Sequence, residues 1–233
     1  MTALQNLFSS ACHLFYPHIC KGCGSDLLGN DDLLCTQCME SLPFTGYENY
    51  PHNPIERIFY GRLPVETATS GFYFVKGGLI QHLVHGLKYK GDKEIGIFLG
   101  TLMGNRLFES RRFETVDYLI PLPLFADKEF KRGFNQAEVI CDGLSSAMNI
   151  PVLPGNVIRS HFTETQTKKH RAERWENVSG SFKVTDPGAL QNKHILLVDD
   201  VITTGATLEA CACAISEAGD VRVSLATLAT ATK

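Results

Sequence analysis

Two groups of residues in this chain have the types and spacing to do chemistry. The first is Cys20-Lys-Gly-Cys23 with Cys35-Thr-Gln-Cys38, two C-x-x-C knuckles eleven residues apart. Each knuckle brings two sulfurs to one ion at about 2.3 Å, and four thiolates fill the tetrahedral shell that zinc prefers. Gly22 and Gly24 ease the tight turn between paired ligands. A filled shell leaves no open position for a reacting molecule, so the expected metal is structural zinc on Cys20, Cys23, Cys35 and Cys38. The competing readings are disulfides, which a reducing compartment disfavours, and a redox C-x-x-C, which would follow a clear strand and would not need two copies.

The second group is Asp199-Asp200 followed by Thr203-Thr204-Gly205-Ala206-Thr207. Hydroxyls, a glycine that admits close backbone approach and the free amides of a helix start together make a phosphate cradle. There is no P-loop lysine. Two aspartates would repel a phosphate, so they are expected to face sugar hydroxyls or a divalent metal. A diol at one end and a phosphate at the other describe a ribose 5-phosphate. Taken singly, an aspartate pair or a hydroxyl-rich turn is unspecific, because such turns also serve as helix caps.

The elements that must position these groups are readable from periodicity. Ile195 to Val198 are four consecutive apolar residues, as in a parallel strand buried on both faces, and the aspartates sit at its end. After Gly205 a helix runs to about residue 218, Gly219 stops it, and residues 221 to 228 read as the next strand. Ligands of open α/β sheets sit beyond such carboxyl ends. Upstream, residues 78 to 89, 94 to 109 and 135 to 148 show helical spacing, and a short strand closes at Pro121. Asp127 to Gly133 reads as a loop of mixed charge, and residues 160 to 180 read as a long polar hairpin loop. Residues 41 to 70, with four prolines, read as an irregular connector holding the domain boundary. Residues 2 to 15 carry an apolar helical stripe expected to support the knuckles.

Composition bounds the rest. The chain has 233 residues, 44% of them hydrophobic and 20% charged, with a net charge of −3. These are ordinary globular values and exclude disordered, collagen-like and coiled-coil classes. The length fits one α/β body plus an appendage: an N-terminal helix and zinc module over 1–45, a connector over 46–70 and the main domain over 71–233. No stretch has the roughly 18 uncharged apolar residues of a membrane helix. The N-terminal residues carry no cation ahead of their apolar stretch, so a cytoplasmic location is expected. The net charge does not advertise a nucleic-acid coat, although a local basic strip stays open. Cys12, Cys141, Cys211 and Cys213 lack partner spacing and are expected to act as small core residues.

The continuous run from Ile195 to Thr207 (ILLVDDVITTGAT) is far more specific than its parts. It resembles the phosphoribosyl-pyrophosphate (PRPP) signature of type I phosphoribosyltransferases. Further matches follow in order: the knuckles, His85 to Gly91, Ile120 to Leu124, Arg132 to Gln136, Thr163 with Gln166, and Arg174 with Asn177. In that order they resemble the ComF family (ComFC and GntX-like proteins) over nearly the whole chain. The resemblance implies a parallel sheet with flanking helices of the type I phosphoribosyltransferase kind, bearing an N-terminal zinc module and associated in some bacteria with DNA uptake.

It further implies roles. Asp199 and Asp200 would hold the ribose, and Thr203, Thr204, Gly205, Ala206 and Thr207 the 5-phosphate. The pyrophosphate, carrying Mg²⁺, would meet the Leu122-Pro123 loop, Arg132 and a hood over 160–180 with Lys168, Lys169 and Arg174. Lys88 and Tyr89 end a helix, where a cation serves as a cap. Alternatively they line the substrate crevice or a single-strand path, an aromatic stacking a base and a lysine meeting phosphate. The functional readings are a Mg²⁺-dependent transferase passing phosphoribosyl to an acceptor with pyrophosphate release, in which Asp199, Asp200 and Arg132 would be catalytic, a non-catalytic PRPP sensor that holds single-stranded DNA, and a regulator that binds PRPP or a nucleotide and signals to a protein partner through the zinc knuckle. The partners expected are DNA-uptake or recombination proteins. An amidotransferase of the glutamine-hydrolysing type would need an N-terminal cysteine, whereas the first cysteine here is Cys12.

Overall fold

A computed structural model describes residues 19–26, 28–29, 32–159 and 181–231. The expectations for residues 2–15, for Cys12 and for the 160–180 stretch, including Lys168, Lys169 and Arg174, lie outside the described residues.

The centre of the fold is a four-stranded parallel sheet in the order β1-β6-β5-β2, where β1 is Ala68–Phe74, β2 is Tyr118–Pro121, β5 is His194–Ile202 and β6 is Arg222–Ala231. Its inner strand β5 alternates between two cores. Leu196 and Val198 belong to one apolar cluster, Ile195 and Leu197 to the other. Burial on both faces is what an unbroken apolar run requires. A separate antiparallel pair, β3 (Val157–Arg159) and β4 (Phe182–Val184), flanks the 160–180 stretch.

One face of the sheet is covered by α3 (Leu79–Tyr89), α4 (Lys93–Ser110) and α6 (Gln136–Met148), whose Leu83, Leu87, Leu99, Met103, Ile140 and Leu144 are all essentially inaccessible. Helices α4 and α6 touch backbone to backbone. Gly96, Gly100 and Gly104 recur every four residues on α4 and face Gly143 and its neighbours on α6, where a Cβ on Gly143 would lie 2.7 Å from the Thr101 amide nitrogen. The other face carries α7 (Ala206–Ser216), through Leu208, Cys211, Ala212 and Ile215. Cys141 and Cys211 are buried core residues, while Cys213 is half-buried.

Three segments differ from the sequence reading, the first being strand β1, which begins within the stretch read as connector. Residues 46 to 70 contain a short helix, α2 (Pro54–Phe59), whose Ile55 and Phe59 enter the α7-side core. Pro54 stands at the first helical position, where its missing N–H costs nothing, so this proline starts a helix. Asn53, fully buried, caps it by accepting from Ile55 N at 2.9 Å and Glu56 N at 3.1 Å, and donates to the Ala68 carbonyl at 2.8 Å. Residues 127 to 132, expected as loop, belong to a helix, α5 (Ala126–Arg132). Acidic residues in its first turn, basic ones in its last and Gly133 in the left-handed region (φ 79°) suit both ends, although no residue of it is buried.

The knuckles dock on the α3–α4 side. Cys20, Leu34, Cys38 and Leu42 share that apolar cluster, a Cβ on Gly22 would meet Leu79 at 2.9 Å, and Lys21 pairs with Asp92 at 2.7 Å. The remaining short helix, α1 (Thr36–Glu40), carries Cys38. No helix among the described residues is long and apolar enough to cross a membrane.

Because the α4–α6 contact leaves no room for a methyl group, Gly143→Ala is expected to cost about 1–3 kcal/mol. That corresponds to a fall in melting temperature of about 3–10 °C. Calorimetric or circular-dichroism melting checks this, and an unchanged midpoint would contradict the packing.

Candidate functional site

Strand β5 delivers Asp199 and Asp200 to the carboxyl edge of the sheet, and the chain then turns through Thr203 and Thr204 to Gly205. Gly205 has φ 76°, and a side chain there would strike Phe59 at 2.9 Å. Glycine is therefore required on two counts, backbone conformation and the closeness of α2. Helix α7 begins at Ala206 and leaves its first amides free at the loop, with Thr203 and Thr204 exposed. Asp199 and residues 201 to 208 line a small concavity. The loop is backed by Arg62, which pairs with Glu209 of α7 and donates to the Ile58 carbonyl at 3.1 Å and the Thr204 carbonyl at 3.4 Å.

The two aspartates are electrostatically unequal. Burial pushes the Asp199 carboxyl up to about 7, the neighbouring Asp200 charge adds to the rise, and the Asp200 amide at 2.7 Å, Lys88 and Arg159 oppose it. Asp200 is matched by Lys88, whose Nζ lies 2.7 Å from it. Lys88 thus reaches across from the end of α3 to the end of β5 and does not serve merely as a helix cap. Near neutral pH the trio of Lys88, Asp199 and Asp200 carries little net negative charge, which removes most of the repulsion an incoming phosphate would meet.

Arg159, which the sequence reading did not single out, stacks its guanidinium 3.6 Å from the Phe125 ring centroid and 5.0 Å from that of Phe182. Burial lowers its pKa, while Asp199 works in the opposite direction, so the two groups are electrostatic neighbours. Its Nε is buried without a hydrogen-bond partner among the described residues. The only sequence signal for it is a cation directly after the apolar pair Val157-Ile158. For Arg62 there is no local signal.

The Leu122–Leu124 segment follows β2 and lies beside β5, with Leu122 N donating to the Val198 carbonyl at 2.8 Å. Leu122 itself is a core residue, and Pro123 is half-buried. The Arg132-Gly-Phe-Asn-Gln136 run ties that segment to α6. Asn135 Nδ2 donates to the Leu122 carbonyl at 3.1 Å, its Oδ1 accepts from Ala137 N at 3.0 Å, and Arg132 bonds Gln136. The Arg132 guanidinium stands 5.9 Å from the Tyr89 ring centroid. The structure therefore gathers Lys88, Tyr89, Arg132, the 122–124 segment, the aspartates and the 203–207 loop on the carboxyl side of the sheet.

The four cysteines form a second centre. Their sulfurs all lie within 4.8 Å of one another. Cys20 Sγ accepts from Cys35 N at 3.2 Å and Gly22 N at 3.4 Å. Burial works against its ionisation, yet these backbone N–H groups bring the thiol down to about 6. Burial and the neighbouring sulfurs push Cys38 up, so the four cannot all be thiolates without a cation among them. The donor set and its closeness fit one tetrahedral soft-ligand ion.

A family model described as a phosphoribosyl transferase domain matches residues 135–233. The chain is 30% identical over 193 residues to DNA utilization protein YhgH of Shigella flexneri, covering 82% of this chain and 80% of that protein. It is 26% identical over 208 residues to Competence protein F of Haemophilus influenzae, covering 83% and 89%. The chain belongs to the ComF family. Its sheet with helices on both faces is the type I phosphoribosyltransferase-like fold. Among solved structures, this ComF-family chain resembles a glutamine PRPP amidotransferase from B. subtilis complexed with ADP and GMP, at 19% identity and a TM-score of 0.40, over 57% of this chain and 26% of that one.

A carboxyl whose pKa is higher folded (about 7) than unfolded loses stability as pH rises between those two values. Replacing Asp199 by Asn removes the buried charge, so the melting-temperature gain of Asp199→Asn over the native chain should grow from pH 4 to pH 8. The linkage ceiling is about 4 kcal/mol at the upper end. A gain independent of pH would show that Asp199 is not a carboxylate held up by desolvation and by its neighbour Asp200.

Proposed function

We propose that this chain binds PRPP or another ribose 5-phosphate compound at the carboxyl end of β5. Asp199 and Asp200 accept hydrogen bonds from the ribose diol, and Thr203, Thr204, Gly205, Ala206 and Thr207 hold the 5-phosphate with hydroxyls and α7 amides. The observation that carries this reading is the Lys88–Asp200 pair beside a half-buried Asp199 that faces the loop's concavity. It leaves diol acceptors whose net charge tolerates a phosphate one loop away.

The reading extends to transfer of phosphoribosyl to an acceptor with loss of pyrophosphate. Mg²⁺ would travel with the pyrophosphate and supply charge neutralisation there. On the protein side, the Leu122-Pro123 segment and Arg132 would face the leaving group, joined by Lys168, Lys169 and Arg174 from the 160–180 stretch. Fixed cations stabilising a developing anion need no covalent intermediate. The four-cysteine cluster would hold structural zinc, bracing the α3–α4 turn through Lys21 and Asp92. The names of the relatives, DNA utilization protein and Competence protein F, support a place in DNA uptake, for which a location inside the cell is part of the proposal. They also favour a second reading, in which PRPP is sensed and single-stranded DNA lies along Lys88 and the exposed Tyr89, and protein partners come from uptake or recombination.

Titration calorimetry with PRPP and Mg²⁺ should show binding by the native chain, with affinity at least about tenfold lower for Asp199→Asn/Asp200→Asn. No binding by the native chain would remove the site assignment. Pyrophosphate release that depends on an added acceptor would establish transfer, and silence across nucleobases, ammonia and nucleic acids would favour sensing. Metal analysis should find one zinc per chain, lost in Cys38→Ser together with a marked drop in melting temperature. A metal-free native chain of unchanged stability would overturn the zinc reading.

A further inference from the structure

Beside the phosphate loop is a concavity of about 400 Å³ lined by Lys88, Tyr89, Gly91, Lys128, Lys131 and Arg132, in which Lys128 and Lys131 have no role in the reading above. Four of its six lining residues are cations, and Asp127 and Glu129, the acidic residues of α5, are not among them. Lys128, Lys131 and Arg132 form no salt bridge among the described residues. Helix α5 buries no residue, so apolar packing does not fix where these cations point, although Arg132 also bonds Gln136 and Lys128 lies 5.9 Å from the Phe125 ring centroid. The helix dipole accounts for a cation at 131 or 132, at the helix's negative end. It does not account for their convergence with Lys88 from a different helix.

Lys88 is balanced by Asp200, but Lys128, Lys131 and Arg132 converge with no carboxylate partner among the described residues, a cost that an anion relieves. The basin also offers a flat apolar surface. Tyr89 is 67% exposed, with the Arg132 guanidinium 5.9 Å from its ring centroid, so a planar group can stack against phenol and guanidinium. The volume falls within the usual range of small-molecule sites. Lys88 forms the boundary with the aspartates, since its Nζ is 2.7 Å from Asp200. The phosphate loop of residues 201–208 is a separate concavity.

We propose that this basin is a second ligand site, contiguous with the phosphate loop but distinct from it, that takes a phosphorylated planar molecule of mononucleotide size. Lys128 and Lys131 meet the phosphate and Tyr89 stacks the ring, while Arg132 stands at the border between the basin and the leaving-group side of the phosphoribosyl site. The second ligand is thereby selected for its charge, which a neutral nucleobase lacks.

Adenosine 3′-monophosphate is the probe, because it lacks the 5-phosphate that the 203–207 loop would hold, and adenosine is its neutral control. Calorimetry on the full chain at low salt should show the nucleotide binding at least about tenfold more tightly than adenosine. Lys128→Ala/Lys131→Ala should weaken the nucleotide by at least about tenfold and leave ribose 5-phosphate affinity within about twofold. Tyr89→Phe should retain binding that Tyr89→Ala loses. The proposal is overturned if the nucleotide does not bind, if adenosine binds equally well, or if the double lysine variant binds it unchanged. It is equally overturned if that variant loses ribose 5-phosphate as well, which would make the basin part of the phosphoribosyl site. Binding of oligonucleotides alone would overturn it in favour of a strand-binding surface. If the native chain binds the 3′-nucleotide but not ribose 5-phosphate, the phosphoribosyl reading falls and the basin stands.

Discussion

Two adjacent carboxylates at the end of a doubly buried strand repel each other, and the fold has to compensate for that repulsion. Lys88 supplies the compensation by pairing with Asp200 at 2.7 Å, while Asp199 is pushed up toward neutrality by burial. For the lysine to arrive there, the end of α3 must lie over the end of β5. That placement depends on α3 packing through Leu83 and Leu87 into the same apolar cluster as Leu196 and Val198 of the strand. Helix α4 is seated against α6 at backbone contact through its glycine ridge. The charge balance at the strand end is thus a consequence of how closely the helices on one face are packed.

The two appendages hold the same region from opposite directions. On one side the cysteine knuckles bind the α3–α4 turn through Lys21 and Asp92, next to Gly91, which lines the basic basin. On the other, α2 presses Phe59 and Ile58 under Gly205, and Arg62 ties the loop to Glu209. Small cysteine modules bury too little apolar surface to be rigid alone. Here the module shares the cluster of the main body through Cys20, Leu34, Cys38 and Leu42. Residues 46 to 70 likewise contribute core side chains, anchored by the buried Asn53 and by Glu56 with Arg112 at 2.6 Å.

Much was legible because it is written in local pattern. The apolar run before Asp199 could only be a strand buried on both faces, and the spacing of Leu, Ile and Val at three and four residues located α3, α4 and α6 to within a residue or two. Of the elements that spacing did not reveal, β1 and α1 among them, two escaped for opposite reasons. Prolines around residue 54 broke the apolar period, yet one of them sits at the helix start, where it is favourable. In α5 no apolar face exists to show a period, because the helix buries nothing.

By itself the sequence determined the chemistry on offer: four thiols spaced for one ion, two carboxylates and a hydroxyl-rich turn between a strand and a helix, and the order of motifs that marks the ComF family. Only the tertiary structure decided what those groups meet. Lys88 lies 112 positions before Asp200, Arg62 lies 147 before Glu209, and the cations of α5 join Tyr89 from another helix. Such partners leave no trace in local spacing, because a charge pair needs closeness in space and is indifferent to separation along the chain. Spacing specifies a group's own geometry, and packing alone specifies its electrostatic surroundings.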